Sequence, residues 1–254
     1  MDLMDVMPGE ARIDALYVLS VSKRKGRFLR DLSGMMGFEP VLVPEAVEAW
    51  YEERGREFLD GIVAKCEERG HSSKAVWEQG AVLERVLHRA SASDLVIVAA
   101  GEDGIVALSG QGECTADRFV KRVGTTTLLA AGTRVDFRGI CLAYDGSDGA
   151  NCALRSTRRL ASIVDCPVHV VHALDGEGGH DADVIGPAVE RLLEEGIEVT
   201  TAVQSGEPHE VIQAECQAKG FGLVAVGYRG RVNLPGRVLG RVTESLVDEL
   251  ESAL

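Results

Sequence analysis

The stretch VGYRGRVNLPGRVLGRVTES (226–245) holds four glycines and four arginines, in a chain whose formal net charge is -13. Gly227, Gly230 and Gly240 are spaced G-x2-G-x9-G and follow an apolar run, FGLVAV (221–226). Glycine has no Cβ, so its backbone approaches a ligand closely and turns left-handed at little cost. The N–H groups of such a loop, with the N-terminus of a following helix, hold an anion. The chemistry indicated is phosphate binding, with Arg229, Arg231, Arg237 and Arg241 adding positive charge around it. A second short piece, YDGS (144–147), puts Asp145 at the end of another apolar run. A carboxylate there accepts hydrogen bonds from a base amine or a hydroxyl. It equally suits a helix cap beside Ser147.

Reactive constellations are missing around these pieces. Neither a Walker pattern nor a G-x-G-x-x-G fingerprint occurs in the chain, and no nucleophile or acid–base pair stands beside the loop, so no catalytic residue is assigned. His169 and His172 are three apart in a strand-like run and face opposite sides, so they are no metal pair. The six cysteines contain no C-x-x-C and read as reduced, packed thiols. No metal site is assigned.

The elements that must carry the two motifs come twice. GEPHEVIQAECQAKGFGLVAVGY (206–228) resembles GAVLERVLHRASASDLVIVAA (80–100), and from the strand onward the two align without a gap at an offset of 128. The division falls near 132–136, giving domains 1–133 and 134–254. In the second copy GICLAY (139–144), PVHVVHAL (167–174), IEVTTAV (197–203) and GLVAV (222–226) read as strands. Helices read over 145–164, with Leu154, Thr157, Ala161 and Val164 on one face, over 184–195, and from Pro208 to about Gly220. A last apolar stripe follows Gly240. Alternating strands and helices predict an α/β fold with a parallel sheet covered on both faces. The first copy offers IDALYVLSV (13–21), SSKAVW (72–77), DLVIV (94–98) and TTLLAA (126–131) as strands. An insert over 23–52 contains KRKGRFLR (23–30), read as a solvated loop or an anion contact.

This pattern resembles the universal stress protein family in a tandem two-domain form, on the strength of Gly227, Gly230, Gly240 and YDGS at the ends of the matching strands. The resemblance implies two doubly wound open parallel sheets of order 3-2-1-4-5, the first copy lacking strand 1 and the second strand 5. It implies that Gly227, Gly230 and Gly240 cradle the phosphates of ATP or AMP, with any Mg²⁺ arriving on the nucleotide. Asp145 and the backbone of Ala173 are the implied adenine or ribose contacts, and Val242 matches the family. Where the family has Ser or Thr after the third glycine, this chain has Arg241. The guanidinium is either a bidentate phosphate donor or a plug that fills the site. Thr243 offers a hydroxyl two residues later, and Arg229 is a further candidate. At the same offset the first copy reads Ala99, Glu102, Gly112 and Glu113. Like charge there repels phosphate, so this copy is expected to be structural and to pack on the second as a pseudo-dimer.

The expected function is that of a stress-response regulatory protein binding an adenine nucleotide in its second half. The alternatives are a nucleotide-free interaction or dimerisation module and, behind it, a slow ATPase or nucleotidyl transferase. A homodimer is compatible with either main reading. The chain's 254 residues, 45% hydrophobic and 26% charged, suit a globular protein. The acidic balance argues against nucleic acid as a partner. No apolar run is long enough to span a membrane, and MDLMDVMPGE lacks the pattern of a signal peptide. A cytoplasmic location is expected. By the family pattern, the chain reads either as a window cut from a longer tandem protein or as a tandem whose first half is a rearranged sheet.

Overall fold

A computed structural model describes residues 5, 7–19, 45–100, 122–131, 137–174, 183–228, 242–243 and 245–246. These form an α/β protein with strands β1 (Arg12–Leu19), β2 (Ser72–Gln79), β3 (Leu95–Ala100), β4 (Thr126–Ala131), β5 (Ile140–Ala143), β6 (Val168–Leu174), β7 (Val199–Ser205) and β8 (Leu223–Ala225). The helices are α1 (Glu45–Glu68), α2 (Val82–Ala90), α3 (Asp148–Val164), α4 (Gly186–Leu193) and α5 (Pro208–Lys219). The chain divides into two compact units, one over 9–93 and the other over 94–254 together with 1–8. The strands β3 and β4, which the repeat assigns to the first copy, thus lie in the same unit as the second copy's sheet.

The larger unit contains a four-stranded sheet in the order β7-β6-β5-β8, all parallel. Counted within the second copy this order is 3-2-1-4. The alternation of side chains along each strand sorts the sheet into two faces. Ile140, Leu142, Val168 and Val170 point to α3 and α4, where Leu154, Ala161, Ala188 and Leu192 complete a core at 0–1% exposure. Each large side chain buried this deeply stabilises by roughly 1.5–3 kcal/mol. Cys141 and Val171 point the other way, to Val211, Ile212 and Cys216 of α5. Helices on both faces make the sheet doubly wound.

Local sequence sets the helix ends. Ser147 caps α3, its Oγ accepting from the Ala150 N–H at 3.1 Å. Asp165 closes that helix in the left-handed region at φ 51°. Pro208 occupies the first turn of α5, where its missing N–H costs nothing, and Gly220 ends it at φ +65°. The pair β3-β4, also parallel, lies in the same unit. Leu128 of β4 packs against the α3-side core, and the Thr126 and Ser156 hydroxyls are 2.8 Å apart.

The smaller unit pairs β1 with β2 in parallel, Tyr17 opposite Trp77. Their rings stack with centroids 5.0 Å apart. Helix α1 begins inside the 23–52 stretch that the sequence alone reads as an insert, and it runs well past it. Gly55 lies within it because a Cβ there would sit 2.5 Å from the Trp77 ring.

Candidate functional site

The candidate site is the C-terminal edge of the four-stranded sheet, between β5 and β8. Chain order reverses there: β5 leads outward to β6 and β7 on one side, and β8 joins it on the other. Ligands of open α/β sheets sit in the crevice at such a switch point.

Asp145 is the second residue after β5 and is half-buried. Its Oδ1 accepts from the Ser147 N–H at 3.0 Å, forming an Asx-turn over Gly146, which is left-handed at φ +76°. One carboxylate oxygen of Asp145 is thus taken up by the turn that leads into α3, whose cap is Ser147 itself. The turn is braced from behind: Tyr144, buried, donates its hydroxyl to Asn151 Oδ1 at 2.9 Å, and Asn151 donates to the carbonyls of Gly146 and Ser147. His172 donates from Nδ1 to the Tyr144 carbonyl at 2.9 Å, which fixes its tautomer because a carbonyl only accepts.

Ala173 is brought beside Asp145. The β5–β6 ladder ends with Ala143 opposite Val171, so continuing the register sets Asp145 opposite Ala173. The Val171 carbonyl accepts from the Tyr144 N–H. Backbone groups of alternate strand residues point the same way, so those of Ala173 are directed past the end of β5. On the other flank the β5–β8 register, continued from Leu142 with Ala225, sets Tyr228 opposite Asp145. Tyr228 is 39% exposed, and no motif in the sequence singles it out.

Gly227 lies at the same edge, but the close approach its missing side chain permits is to protein. A Cβ there would fall 2.4 Å from the Gly149 carbonyl carbon and 2.7 Å from the Ala150 nitrogen, both backbone of α3. Val242 packs in the α5-side cluster together with Ala143 and Ala173. Thr243 is buried and donates its hydroxyl to the Gly227 carbonyl at 2.8 Å. Its single proton is thereby committed to backbone, which removes it as a phosphate donor in this arrangement. Arg229, Gly230, Gly240 and Arg241 lie outside the described residues, as do Glu102, Gly112 and Glu113.

Sequence reading misses a polar row on the α5 face. Cys141, His169 and Thr200 are register partners across β5, β6 and β7 and so project on one side. His169, 1% exposed, places Nδ1 2.7 Å from Thr200 Oγ1 and Nε2 2.9 Å from Glu215 Oε2, and Gln204 donates to the other Glu215 oxygen. The available signal is a histidine in an otherwise apolar strand face and a glutamate on the inner side of α5. On α3, Arg155, Arg158 and Arg159 line a shallow groove, where Glu195 and Asp94 pair with the last two. No group of three metal-ligating side chains occurs among the described residues. No described helix is long and apolar enough to cross a membrane.

Residues 136–252 match the family model described as universal stress protein family. Universal stress protein YxiE of Bacillus subtilis (strain 168) is 30% identical over 95 residues, which are 37% of this chain and 64% of that protein. The chain thus spans just under two thirds of that relative. A universal stress protein from Archaeoglobus fulgidus DSM 4304 superposes with a TM-score of 0.69 at 19% identity, over 93% of this chain and 81% of that one. A protein of unknown function from Pseudomonas aeruginosa PAO1 superposes with a TM-score of 0.55 at 14% identity, over 98% and 91% of the two chains. These two likenesses carry the fold.

Proposed function

We propose that the second half of the chain, whose residues 136–252 match the universal stress protein family model, binds an adenine nucleotide, ATP or AMP, at the edge between β5 and β8. The observation that carries this reading is the juxtaposition of Asp145, Ala173 and the two ends of the glycine-rich segment at one switch point. Asp145 keeps one oxygen without a hydrogen bond among the described residues, and that oxygen suits a ribose hydroxyl or the adenine amine. The backbone of Ala173 suits the adenine edge. Gly227 and Thr243 bring the start and end of the 227–243 segment together. Gly230, Gly240 and Arg241 then hold the phosphates, with Arg229 as a further cation and Mg²⁺ arriving on the nucleotide.

With the Thr243 proton committed, Arg241 is the donor left to compensate phosphate charge near the third glycine. The output is regulatory, through conformation or assembly, in a cytoplasmic stress response. The first copy, with Ala99, Glu102 and Glu113 at the corresponding positions, takes a structural part as the other half of a pseudo-dimer.

The test is direct. Protein purified under native conditions and then denatured should release ATP or AMP. Calorimetric titration should give binding heat with the unmodified protein and little with Gly230→Glu. Equal heats for both sink the loop assignment. Arg241→Ser weakens binding if the guanidinium is a donor and tightens it if it is a plug, the outcome that favours a nucleotide-free interaction module.

A further inference from the structure

Helix α3 carries Arg155, Arg158, Arg159 and Ser162 at i, i+3, i+4 and i+7, the spacing of one helical face. Another face of the same helix packs Leu154 and Ala161 into the core, so the arginines stand on a fixed support. Together with Ile163 and Glu195 they line a groove of about 520 Å³. That volume suits a small molecule. None of the lining residues is assigned to the nucleotide, so the groove is independent of that reading.

The guanidiniums here are short of acceptors. Three arginines meet two carboxylates, in a chain whose net charge is -13. Among the described residues Arg155 donates only to the Cys152 sulfur, at 2.9 Å, and a thiol is a weak acceptor. Arg158 pairs with Glu195, yet its Nε is buried without an acceptor among the described residues. A buried donor in that state calls for a water or an ion. Arg159 pairs with Asp94 at 3.0 Å, but the two side chains are 67% and 80% exposed. Solvent screens such a pair, so it yields to a stronger anion.

We propose that this groove binds a phosphorylated small molecule, a phosphate monoester or diphosphate. The charges decide the class. A monocarboxylate would only replace the unit of charge that Glu195 or Asp94 already supplies. A phosphoryl group carries about -1.5 to -2 at pH 7 and offers three acceptor oxygens. It takes the planar forks of Arg155 and Arg159 and leaves an oxygen for Arg158. One turn of helix, about 6 Å of rise, separates Arg155 from Arg159, a span that two long side chains close onto a single anion. The Ser162 hydroxyl adds a neutral donor, and Ile163, 40% exposed, gives the body of the ligand an apolar wall.

The test is calorimetric titration with pyrophosphate, on the full chain carrying Gly230→Glu so that the glycine-rich segment does not contribute. Pyrophosphate should bind, and acetate at the same concentration should not. Adding Arg155→Gln and Arg159→Gln, both at exposed positions, should weaken binding roughly tenfold or more, the loss of two charge-assisted donors. Glu195→Gln removes a competing carboxylate and should tighten binding about threefold, the worth of an exposed pair. A gain of affinity cannot come from misfolding. Added salt should lower the affinity throughout. The proposal fails if pyrophosphate binds the unmodified chain but not the Gly230→Glu chain, because the anion then belongs to the glycine-rich segment. It fails if neither chain binds pyrophosphate, or if acetate binds as well. Equal affinity after replacement of both arginines would mark an adventitious ion only.

Discussion

Thr243 and Gly227 are joined by a 2.8 Å hydrogen bond from hydroxyl to carbonyl, so the segment between them begins and ends at one point on the edge of the sheet. The threonine is 6% exposed and the Gly227 residue it serves is half-buried. Thr243→Val should therefore cost about 1 kcal/mol, the net worth of one hydrogen bond. Thr243→Ser should retain most of the stability. Urea denaturation compares the two, and calorimetry should show nucleotide affinity falling with the valine variant.

The same substitution at two glycines should have opposite signs. Gly227→Ala drives a methyl into the backbone of α3, which has no rotamer to yield, so a loss of at least about 2 kcal/mol is expected. Gly61→Ala lies at an exposed position of α1 with nothing within 4 Å of the added carbon, and should stabilise by about 0.8 kcal/mol. Gly61 belongs to the 9–93 unit and Gly227 to the other. Denaturation followed by probes in each unit should therefore show the two effects on separate transitions.

Thr157 presents a different imbalance. It is 2% exposed, on the buried face of α3, and its hydroxyl has no partner among the described residues. Thr157→Val keeps the β-branched shape and removes the stranded polar group. Stability should rise by about 1 kcal/mol, read as an increase in denaturation midpoint with an unchanged m-value. A decrease would mean that the hydroxyl is satisfied.

Alkaline pH should act through Cys166. Its thiol is pushed up from 9.0 to about 11 by burial, with the neighbouring Asp165 charge adding. Folding here raises the pKa, so between about pH 9 and 11 the unfolded chain sheds a proton that the folded chain keeps. Stability is full below pH 9 and falls as pH rises through that window. A series of denaturation curves from pH 8 to 11, with reductant present, should show the fall. Cys166→Ala should make it shallower, with Cys141, whose thiol is shifted in the same direction, accounting for part of the remainder.

Much of the second copy is legible in the sequence because its chemistry is local. The face Leu154, Thr157, Ala161 is read from spacing alone and is buried in the structure. Pro208 and Gly220 mark the two ends of α5. Helix α1 is not legible, because Trp50, Tyr51 and Phe58 stay exposed and blur the helical period, and Gly55 and Gly61 read as breakers. Gly55 answers to a ring stack formed by Tyr17 and Trp77. At the candidate site, motif spacing finds Asp145 and Gly227 but not the reason for Gly227. What excludes a side chain there is a helix 77 positions earlier in the chain (227 minus 150). The His169–Glu215 contact joins residues 46 apart and has no local signature.

That contact also bears on how the sheet finds its alignment. A strand shifted by one residue turns every side chain to the opposite face. For β6 a slip of one would move His169 into the space around Leu154 and Leu192 and present a valine to Glu215 and Thr200. Three polar groups would then be buried or stranded at once, whereas an all-valine strand would tolerate the shift. His169 thus penalises the misaligned sheet more than it strengthens the aligned one.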